Sequence, residues 1–316
     1  MEQKQPQRFF RSPVGHILIA FAAYLIIMAS ALFLLRSVMP DEGLHSLAGD
    51  VAVSLGQIPE DRGDIPPPPD PVETAVTPRV YPPVRLAVVL GEMGLSRSLT
   101  QQAVRDLPDS VSFSFSLYAE NLRRQTEDAR AAGHDILLEI PLEPENFPDD
   151  DPGPAALLTR YGASRNAMLL ETAINRVDGF SAVMPWMGSR FINSPEHVDR
   201  MMRLLRARDI VFLDSSGLGG LYGDAASTAA ENAARRYGLP YLRAHLVLDK
   251  TATHDAVTEQ LERLAKRARD TDGTAVGLAQ PYPATIAALK DWSTTLSDKN
   301  ITLVPVSEII KDKQRK

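Results

Sequence analysis

The sequence predicts an α/β protein folded as a distorted (β/α) barrel of seven to eight strands. From about Arg85 onward, short apolar runs alternate with stretches of helical periodicity, which is typical of βαβ units. The apolar runs are continuous, as expected for parallel strands that are buried on both faces. Eight such runs in roughly 230 residues fit one barrel better than two domains. An open, doubly wound sheet is the alternative.

The elements follow in a regular order. The predicted strands are 86–90, 111–117, 135–142, 179–186, 209–215, 241–248, 274–280 and 301–307. The predicted helices are about 97–107, 121–132, 164–177, 195–207, 224–237, 254–270 and 283–297. This order places the domain at 85–308 and leaves 309–316 as a solvated tail.

Residues 14–36 predict a single transmembrane helix. No formal charge lies between Arg11 and Arg36, and 17–35 is almost purely apolar. About 20 such residues span a bilayer core as a helix. A cleaved signal peptide, with a small-residue site at 29–31, is one alternative, and a buried core helix is another.

The charges around this segment predict its orientation. Basic residues dominate 1–13, whereas acidic residues follow the apolar run. Because basic flanks stay in the cytoplasm, we expect a single-pass protein of the inner membrane with its C-terminal domain in the periplasm. The stretch 37–84 is the expected linker, and its part from 58 onward holds nine of the 24 prolines. Such a stretch behaves as a semi-stiff spacer.

Composition excludes some functions. The chain has no cysteine, which removes disulfides, thiol nucleophiles and Cys-ligated zinc together. It has 34 basic and 40 acidic residues and no basic stripe in the domain, so we expect no nucleic-acid partner.

Polar side chains at the ends of the predicted strands are the candidates for chemistry, because barrels carry their sites there. The candidate binding residues of this kind are Glu92, Glu139, Ser189, Arg190, Asp214, Asp249 and Gln280. Glu92 and Asp214 are also the catalytic candidates, as an acid/base pair on strand ends. Helix capping or salt bridging by these carboxylates is the alternative. Trp186 and Tyr282 complete the binding set, because aromatic faces beside polar donors suit a sugar ring; Trp186 could instead only fill the barrel top.

Histidine is scarce at these positions. Of the six histidines, His245 alone lies inside a predicted strand, and a buried histidine bonded to a neighbour is the favoured interpretation. Carboxylates without histidine are closer to a hard-cation site than to a zinc site. The Gly-rich run 217–220 lacks the Lys-Ser/Thr of a phosphate loop and is interpreted as a flexible turn.

Several strings at the strand ends resemble a known family. LAVVLGEMGLS (86–96), DPGP-x-x-LLT (151–159) and MGSRF (187–191) resemble, in this order, blocks of the divergent polysaccharide deacetylases. The resemblance covers about 85–307. It implies a NodB-like distorted barrel, a location in the cell envelope, and removal of acetyl groups from glycans with a bound metal.

The departures from the family fall on the implied metal site. Gly91 and Glu92 stand where the family commonly has two aspartates, and Trp186 and Gln280 each replace a histidine. We therefore expect no metal or other cofactor. The leading hypothesis is a catalytically inactive protein that binds cell-wall glycan or an envelope protein.

Two alternatives remain open. One is an active deacetylase that uses a divalent metal such as zinc on relocated ligands, drawn from Glu92, Asp214, His245 and Asp249. The other is a structural partner of cell-wall remodelling proteins.

Overall fold

The computed structural model describes residues 82–223 and 226–314. The predicted cytoplasmic segment 1–13, the predicted anchor 14–36 and nearly all of the predicted linker 37–84 lie outside these ranges. Within them, no helix combines the length and the apolar character needed to cross a membrane.

One parallel sheet organises the described residues. Its strands are β1 (Val84–Met93), β2 (Ser112–Phe115), β3 (Ile136–Leu142), β4 (Ala182–Met187), β5 (Val211–Asp214), β6 (Tyr241–Arg243), β7 (Leu246–Val247), β8 (Thr274–Ala279) and β9 (Ile301–Leu303). Their spatial order is β6-β5-β4-β3-β2-β1-β8-β7, and β9 also pairs with β1. Every pairing is parallel, as the continuous apolar runs predict.

Helices connect most of the strands. They are α1 (Arg97–Asp106), α2 (Leu122–Ala131), α3 (Ala163–Ile174), α4 (Pro195–Ala207), α5 (Thr228–Tyr237), α6 (His254–Arg269), α7 (Pro283–Ser293) and α8 (Val306–Gln314), with short 3-10 turns at Gly220–Tyr222 and Ser297–Lys299. Ser96, Ser227 and Thr253 cap α1, α5 and α6, because each side chain accepts a hydrogen bond from a first-turn N–H.

The sheet curls until its two ends meet. β6 pairs with β5 and β7 pairs with β8, although only Ala244 and His245 separate them. The Ala244 N–H donates to the Asp214 carbonyl at 2.8 Å, and the His245 N–H donates to the Val276 carbonyl at 2.8 Å. The single strand predicted over 241–248 is therefore two short strands, because the segment changes partner midway. The predicted parallel α/β architecture is confirmed in the form of a curled sheet, which has nine strands in the described residues where seven to eight were predicted.

Alternating side chains fill two apolar layers. On β1, Ala87 and Val89 belong to the cluster inside the curl, whereas Leu86, Val88 and Leu90 belong to the cluster beneath the helices. Successive strand residues point to opposite faces, so both faces require apolar side chains. The same alternation decides which strand-end residues point into the barrel mouth.

The C-terminal segment differs from its prediction. β9 stops at Leu303, and α8 runs through residues predicted as strand and tail. Its residues Val306, Ile309 and Ile310 are buried in the inner cluster. The Val306 N–H donates to Ser112 Oγ at 2.9 Å, at the start of β2. This helix thus closes the end of the curl opposite to the strand carboxyl ends.

Candidate functional site

The carboxyl end of β1 bends Glu92 toward the barrel mouth. The register between β1 and β2 shifts between Leu90 and Met93, and Glu92 has a φ of 54°. An extra residue of this kind forms a β-bulge, which redirects a side chain. The Glu92 N–H donates to Glu139 Oε1 at 2.7 Å, and Glu92 Oε1 accepts from the Trp186 indole Nε1 at 3.0 Å.

Glu139 fills the space beside Gly91. A Cβ on Gly91 would lie 2.8 Å from Glu139 Oε1, so the absent side chain leaves room for this carboxyl group. Glu139 is 2% exposed, and its Oε2 has no hydrogen-bond partner within the described ranges. Burial raises the pKa of Glu139 to about 8; the Glu92 N–H opposes this rise and the Glu92 charge adds to it. At neutral pH the group is mostly an uncharged acid.

Tyr222 enters the site two residues after the Gly-rich run 217–220, which the sequence analysis interpreted as a flexible turn. Its side chain is 8% exposed and belongs to the inner cluster. Burial, followed by the charges of Glu139, Glu92 and Asp249, raises the pKa of its phenol. The phenol therefore stays protonated at neutral pH.

The glycines before Tyr222 build a specific turn. The Gly217 N–H donates to the Tyr222 carbonyl at 3.2 Å, and the Gly219 N–H donates to the Gly223 carbonyl at 2.8 Å. Gly217 has a φ of 79°, and a Cβ there would lie 2.5 Å from the Ala226 nitrogen. No other residue fits such a position without displacement of the backbone.

A cavity of about 280 Å³ opens between this turn and the ends of β7 and β8. It is lined by Gly219, Gly220, Tyr222, Val247, Asp249, Lys250, Ala279, Gln280 and Tyr282. Asp249 Oδ2 accepts from the Gln280 N–H at 2.6 Å and from Thr285 Oγ1 at 3.1 Å. Burial raises the pKa of Asp249, and these two hydrogen bonds oppose the rise. Tyr282 is 42% exposed at the outer edge.

Tyr118 packs against Trp186. The two rings meet edge to face, with their centroids 6.4 Å apart. Tyr118 Oη donates to the Pro152 carbonyl at 2.7 Å and accepts from the Ala155 N–H at 3.2 Å. A Cβ on Gly153 would lie 2.6 Å from this oxygen, so the glycine of the DPGP string leaves the space that the Tyr118 hydroxyl occupies. The sequence carries no periodic signal for this contact between distant loops.

Ser189 and Arg190 brace the loop that follows β3. Ser189 Oγ accepts from the Glu145 N–H at 2.9 Å. Arg190 donates to the Glu145 carbonyl at 2.6 Å and forms an ion pair with buried Glu143 at 3.5 Å. Both residues were candidates for ligand binding, and the structure places their polar atoms in this loop.

Asp214 lies on the helix-facing side of the sheet, with Phe212 two residues earlier in the outer cluster. Its Oδ1 accepts from the Ser216 N–H at 2.8 Å, and its Oδ2 accepts from the Tyr241 hydroxyl and lies 3.6 Å from Arg243. The predicted acid/base pair of Glu92 and Asp214 is therefore not brought together.

His245 lies away from the mouth as well. Its Nδ1 accepts from the Val276 N–H at 3.0 Å. Burial, together with the charges of Arg267 and Lys313, lowers the pKa of His245 to about 4. Lys313 belongs to α8, which closes the opposite end of the barrel.

The mouth brings together six of the nine candidate residues. They are Glu92, Glu139, Trp186, Asp249, Gln280 and Tyr282. Four of them, at 139, 186, 249 and 280, each lie two residues after a residue that faces the inside of the curl. Because side chains along a strand alternate with a period of two, this spacing predicts that the four side chains also face inward.

Comparison with known proteins decides the family. The profile of the divergent polysaccharide deacetylases matches residues 88–310, which is most of the chain. The chain belongs to the divergent polysaccharide deacetylase family. The sequence resemblance is thereby confirmed.

Relatives of this deacetylase-like chain include two uncharacterized bacterial proteins. The Escherichia coli K12 protein YibQ is 23% identical over 230 residues, which cover 73% of this chain and 68% of that protein. A Haemophilus influenzae protein is 25% identical over 230 residues, covering 73% and 78% respectively. The crystal structure of an uncharacterized Agrobacterium tumefaciens C58 protein matches with a TM-score of 0.67 and 32% identity, and covers 72% of this chain and 89% of that one.

The metal ion that this family implies does not fit the residues present. Glu92 accepts a hydrogen bond from Trp186, and Asp249 accepts two, so each carboxylate already has an internal donor. Across 82–223 and 226–314, no three His, Cys, Asp or Glu side chains are arranged to hold an ion. Zinc sites need three or four such ligands.

Proposed function

We propose that this divergent polysaccharide deacetylase is a catalytically inactive protein that binds cell-wall glycan at its barrel mouth. The observation that carries the proposal is the hydrogen bond from the Trp186 indole to Glu92. Trp186 stands where the resemblance implies a histidine ligand, and it engages the carboxylate that remains from the implied aspartate pair. A ligand set altered in this way lacks the means to lower the pKa of a bound water.

The shape of the mouth favours a sugar over an envelope protein as the ligand. Tyr282 lines the cavity, Trp186 and Tyr118 form an aromatic pair next to Glu92, and the two tyrosines are exposed. Gln280 and Asp249 add polar groups within it. An apolar wall with a few fixed polar groups is typical of sites for small polar ligands.

The proposal includes a location in the cell envelope. The apolar segment 14–36 and its basic flank support an anchor in the inner membrane. The proline-rich stretch 58–84 supports a spacer that carries the domain into the periplasm toward the wall.

The two tryptophans of the chain provide a direct test. Trp292 lies in α7, away from the mouth, and its indole N–H donates to Glu262 Oε1 at 2.9 Å. It therefore forms the same kind of hydrogen bond as Trp186 forms with Glu92, which makes it a matched control. A Trp292→Phe variant leaves Trp186 as the sole indole. We expect glycan oligosaccharides to change its fluorescence, and we expect Trp186→Ala to weaken binding about tenfold or more whereas Trp292→Phe leaves affinity unchanged.

Catalysis is tested separately on the full chain in detergent. We expect no acetate release from N-acetylated oligosaccharides, with or without added zinc. Zinc-dependent acetate release that is lost in Glu92→Gln, or oligosaccharide binding that is insensitive to Trp186→Ala, would contradict the proposal.

One observation favours the active alternative. Glu139 Oε2 is buried next to Glu92 without a partner in the described ranges, so a carboxyl oxygen there is free to bind an ion that displaces its proton. Of the relocated ligands first considered, Glu92 and Asp249 remain at the mouth, whereas Asp214 and His245 do not. Chelator-sensitive acetate release that also requires Glu139 is the result that this alternative predicts.

A further inference from the structure

The carboxyl groups at the mouth lack cationic partners. In the described part of the chain, none of Glu92, Glu139 and Asp249 forms an ion pair with Arg, Lys or His. Their hydrogen-bond donors are neutral backbone N–H groups, the Trp186 indole and a threonine hydroxyl.

Buried carboxylates elsewhere in the same domain have cationic partners. Glu143 is 3% exposed and lies 3.5 Å from Arg190, and Asp214 is fully buried and lies 3.6 Å from Arg243. Burial of a carboxylate is costly unless a partner compensates its charge. Glu139 is mostly uncharged at neutral pH, so Glu92 and Asp249 give the mouth its acidic character, and no ion pair among the described residues compensates them.

Tyr222 is an independent sign of a ligand. Its side chain is 8% exposed and lines the cavity, and its hydroxyl forms no hydrogen bond with another described residue, so it is available to a ligand there. A donor held open in this way suits an acceptor oxygen of a bound sugar.

We infer that the barrel mouth prefers amino-sugar glycans with free, protonated amines over N-acetylated ones. Glu92 and Asp249 would attract the ammonium group, and Tyr222 would donate to a sugar oxygen. The inference rests on the proposed function and names the ligand class of the same site. The cavity, at about 280 Å³, lies near the lower limit of ordinary ligand pockets, so one sugar unit enters it at a time.

Among the described residues that line this cavity, Lys250 is the one with a cationic side chain, and it opposes an ammonium ligand. Its side chain is exposed, so water and salt screen its charge. The carboxyl groups of Glu139 and Asp249, by contrast, are buried. Lys250→Ala is accordingly expected to increase the preference for the free amine.

The experiment compares two matched oligosaccharides on the full chain in detergent. Binding of a β-1,4-linked glucosamine tetramer and of its N-acetylated form is measured by calorimetry at about pH 6, where amines are protonated. We expect the free-amine tetramer to bind about tenfold more tightly at low salt, and we expect this preference to shrink as salt increases.

Variants test which residues cause the preference for the free-amine tetramer. The double variant Glu92→Gln/Asp249→Asn keeps the side-chain shapes and is expected to abolish the preference, whereas Asp255→Asn removes a fully exposed charge at the start of α6 and should leave it unchanged. Tyr222→Phe is expected to weaken both tetramers about three- to tenfold. Circular dichroism confirms that each variant is folded.

The outcomes separate the two proposals. Equal binding of both tetramers, or tighter binding of the acetylated one, overturns the amine preference and leaves glycan binding in place. A preference that survives in the double variant overturns the role of the carboxylates. If neither tetramer binds, the glycan-binding function fails, and the amine preference fails with it.

Discussion

Glu139 is a carboxyl group in surroundings where an uncharged side chain is expected. It faces inward from β3 beneath Gly91, and it receives the Glu92 N–H as its one hydrogen bond. Desolvation disfavours the charged form of a buried carboxyl group, so the proton stays on at neutral pH. A neutral acid can sit beside Glu92 without strong repulsion, which explains how two glutamates share the mouth.

This residue gives the domain a pH-dependent stability. The pKa of Glu139 rises from 4.5 to about 8 on folding, so across that interval the folded protein holds a proton that the unfolded chain releases. The free energy of unfolding therefore decreases as pH rises from about 4.5 to about 8. Glu139→Gln cannot ionise, and we expect it to flatten the curve of urea midpoint against pH.

The control for this prediction is Glu145→Gln, because that side chain is largely exposed. Asp249, whose pKa is also raised, contributes in the same direction, so Asp249→Asn should remove part of the remaining slope. An unchanged slope in Glu139→Gln would show that Glu139 ionises in the folded protein as it does in the unfolded chain.

Short irregular elements, more than regular strands and helices, position the side chains at the mouth. The bulge at the end of β1 turns Glu92, and the glycine turn before α5 inserts Tyr222. In both, the backbone adopts a positive φ that an extended strand or a right-handed helix does not provide. Residues of this kind cluster at functional sites because neighbouring structure holds them in place.

Two glycines of one turn make a matched pair for testing this point. Gly217 and Gly220 both have positive φ, but a Cβ would meet the Ala226 backbone at the first and open space at the second. We expect Gly220→Ala to cost about 1 kcal/mol of stability from backbone strain alone. Gly217→Ala should cost more, by about 1–3 kcal/mol from the clash, and should also weaken glycan binding.

Thermal unfolding and calorimetric binding of the two alanine variants measure these effects. Equal losses of stability in both variants would argue against a tightly packed turn. Normal binding by Gly217→Ala would argue against a placement of Tyr222 that depends on this turn.

At the scale of the whole molecule, the barrel has one closed end and one open end. α8 covers the amino ends of the strands with Val306, Ile309 and Ile310, whereas the carboxyl ends carry the cavity. Arg85 at the start of β1 adds ion pairs with Glu308, at 2.7 Å, and with Asp312. Apolar burial is the larger contribution here, because ion pairs at the surface contribute little.

α8 is therefore expected to be part of the folding unit. Ile309 is 1% exposed, so Ile309→Ala should lower the free energy of unfolding by about 2–5 kcal/mol. Arg85→Ala removes the half-exposed ion pairs and should cost about 1 kcal/mol or less. Urea denaturation compares the two, and a larger loss in Arg85→Ala would contradict the view that apolar packing holds this helix.

The sequence by itself determined the regular elements and the family. Each predicted strand from 86–90 through 274–280 has a counterpart in the sheet, because the periodicity that defines it is local. The strings at the strand ends determined the resemblance, which the family match confirms. The replacements at Gly91, Trp186 and Gln280 were likewise visible in the residues alone.

Only the tertiary structure decided which polar groups meet. Alternation along the strands sends Glu139 inward and Asp214 outward, but the partners that they reach belong to segments distant in the chain. Tyr118 and Tyr222 come from loops without periodicity, so their positions depend on contacts with Pro152 and with the glycine turn. α8 was interpreted as strand and tail because its helical pattern is short and its burial depends on the open end of the barrel. Local patterns fix the direction of a side chain, whereas long-range packing fixes what it touches.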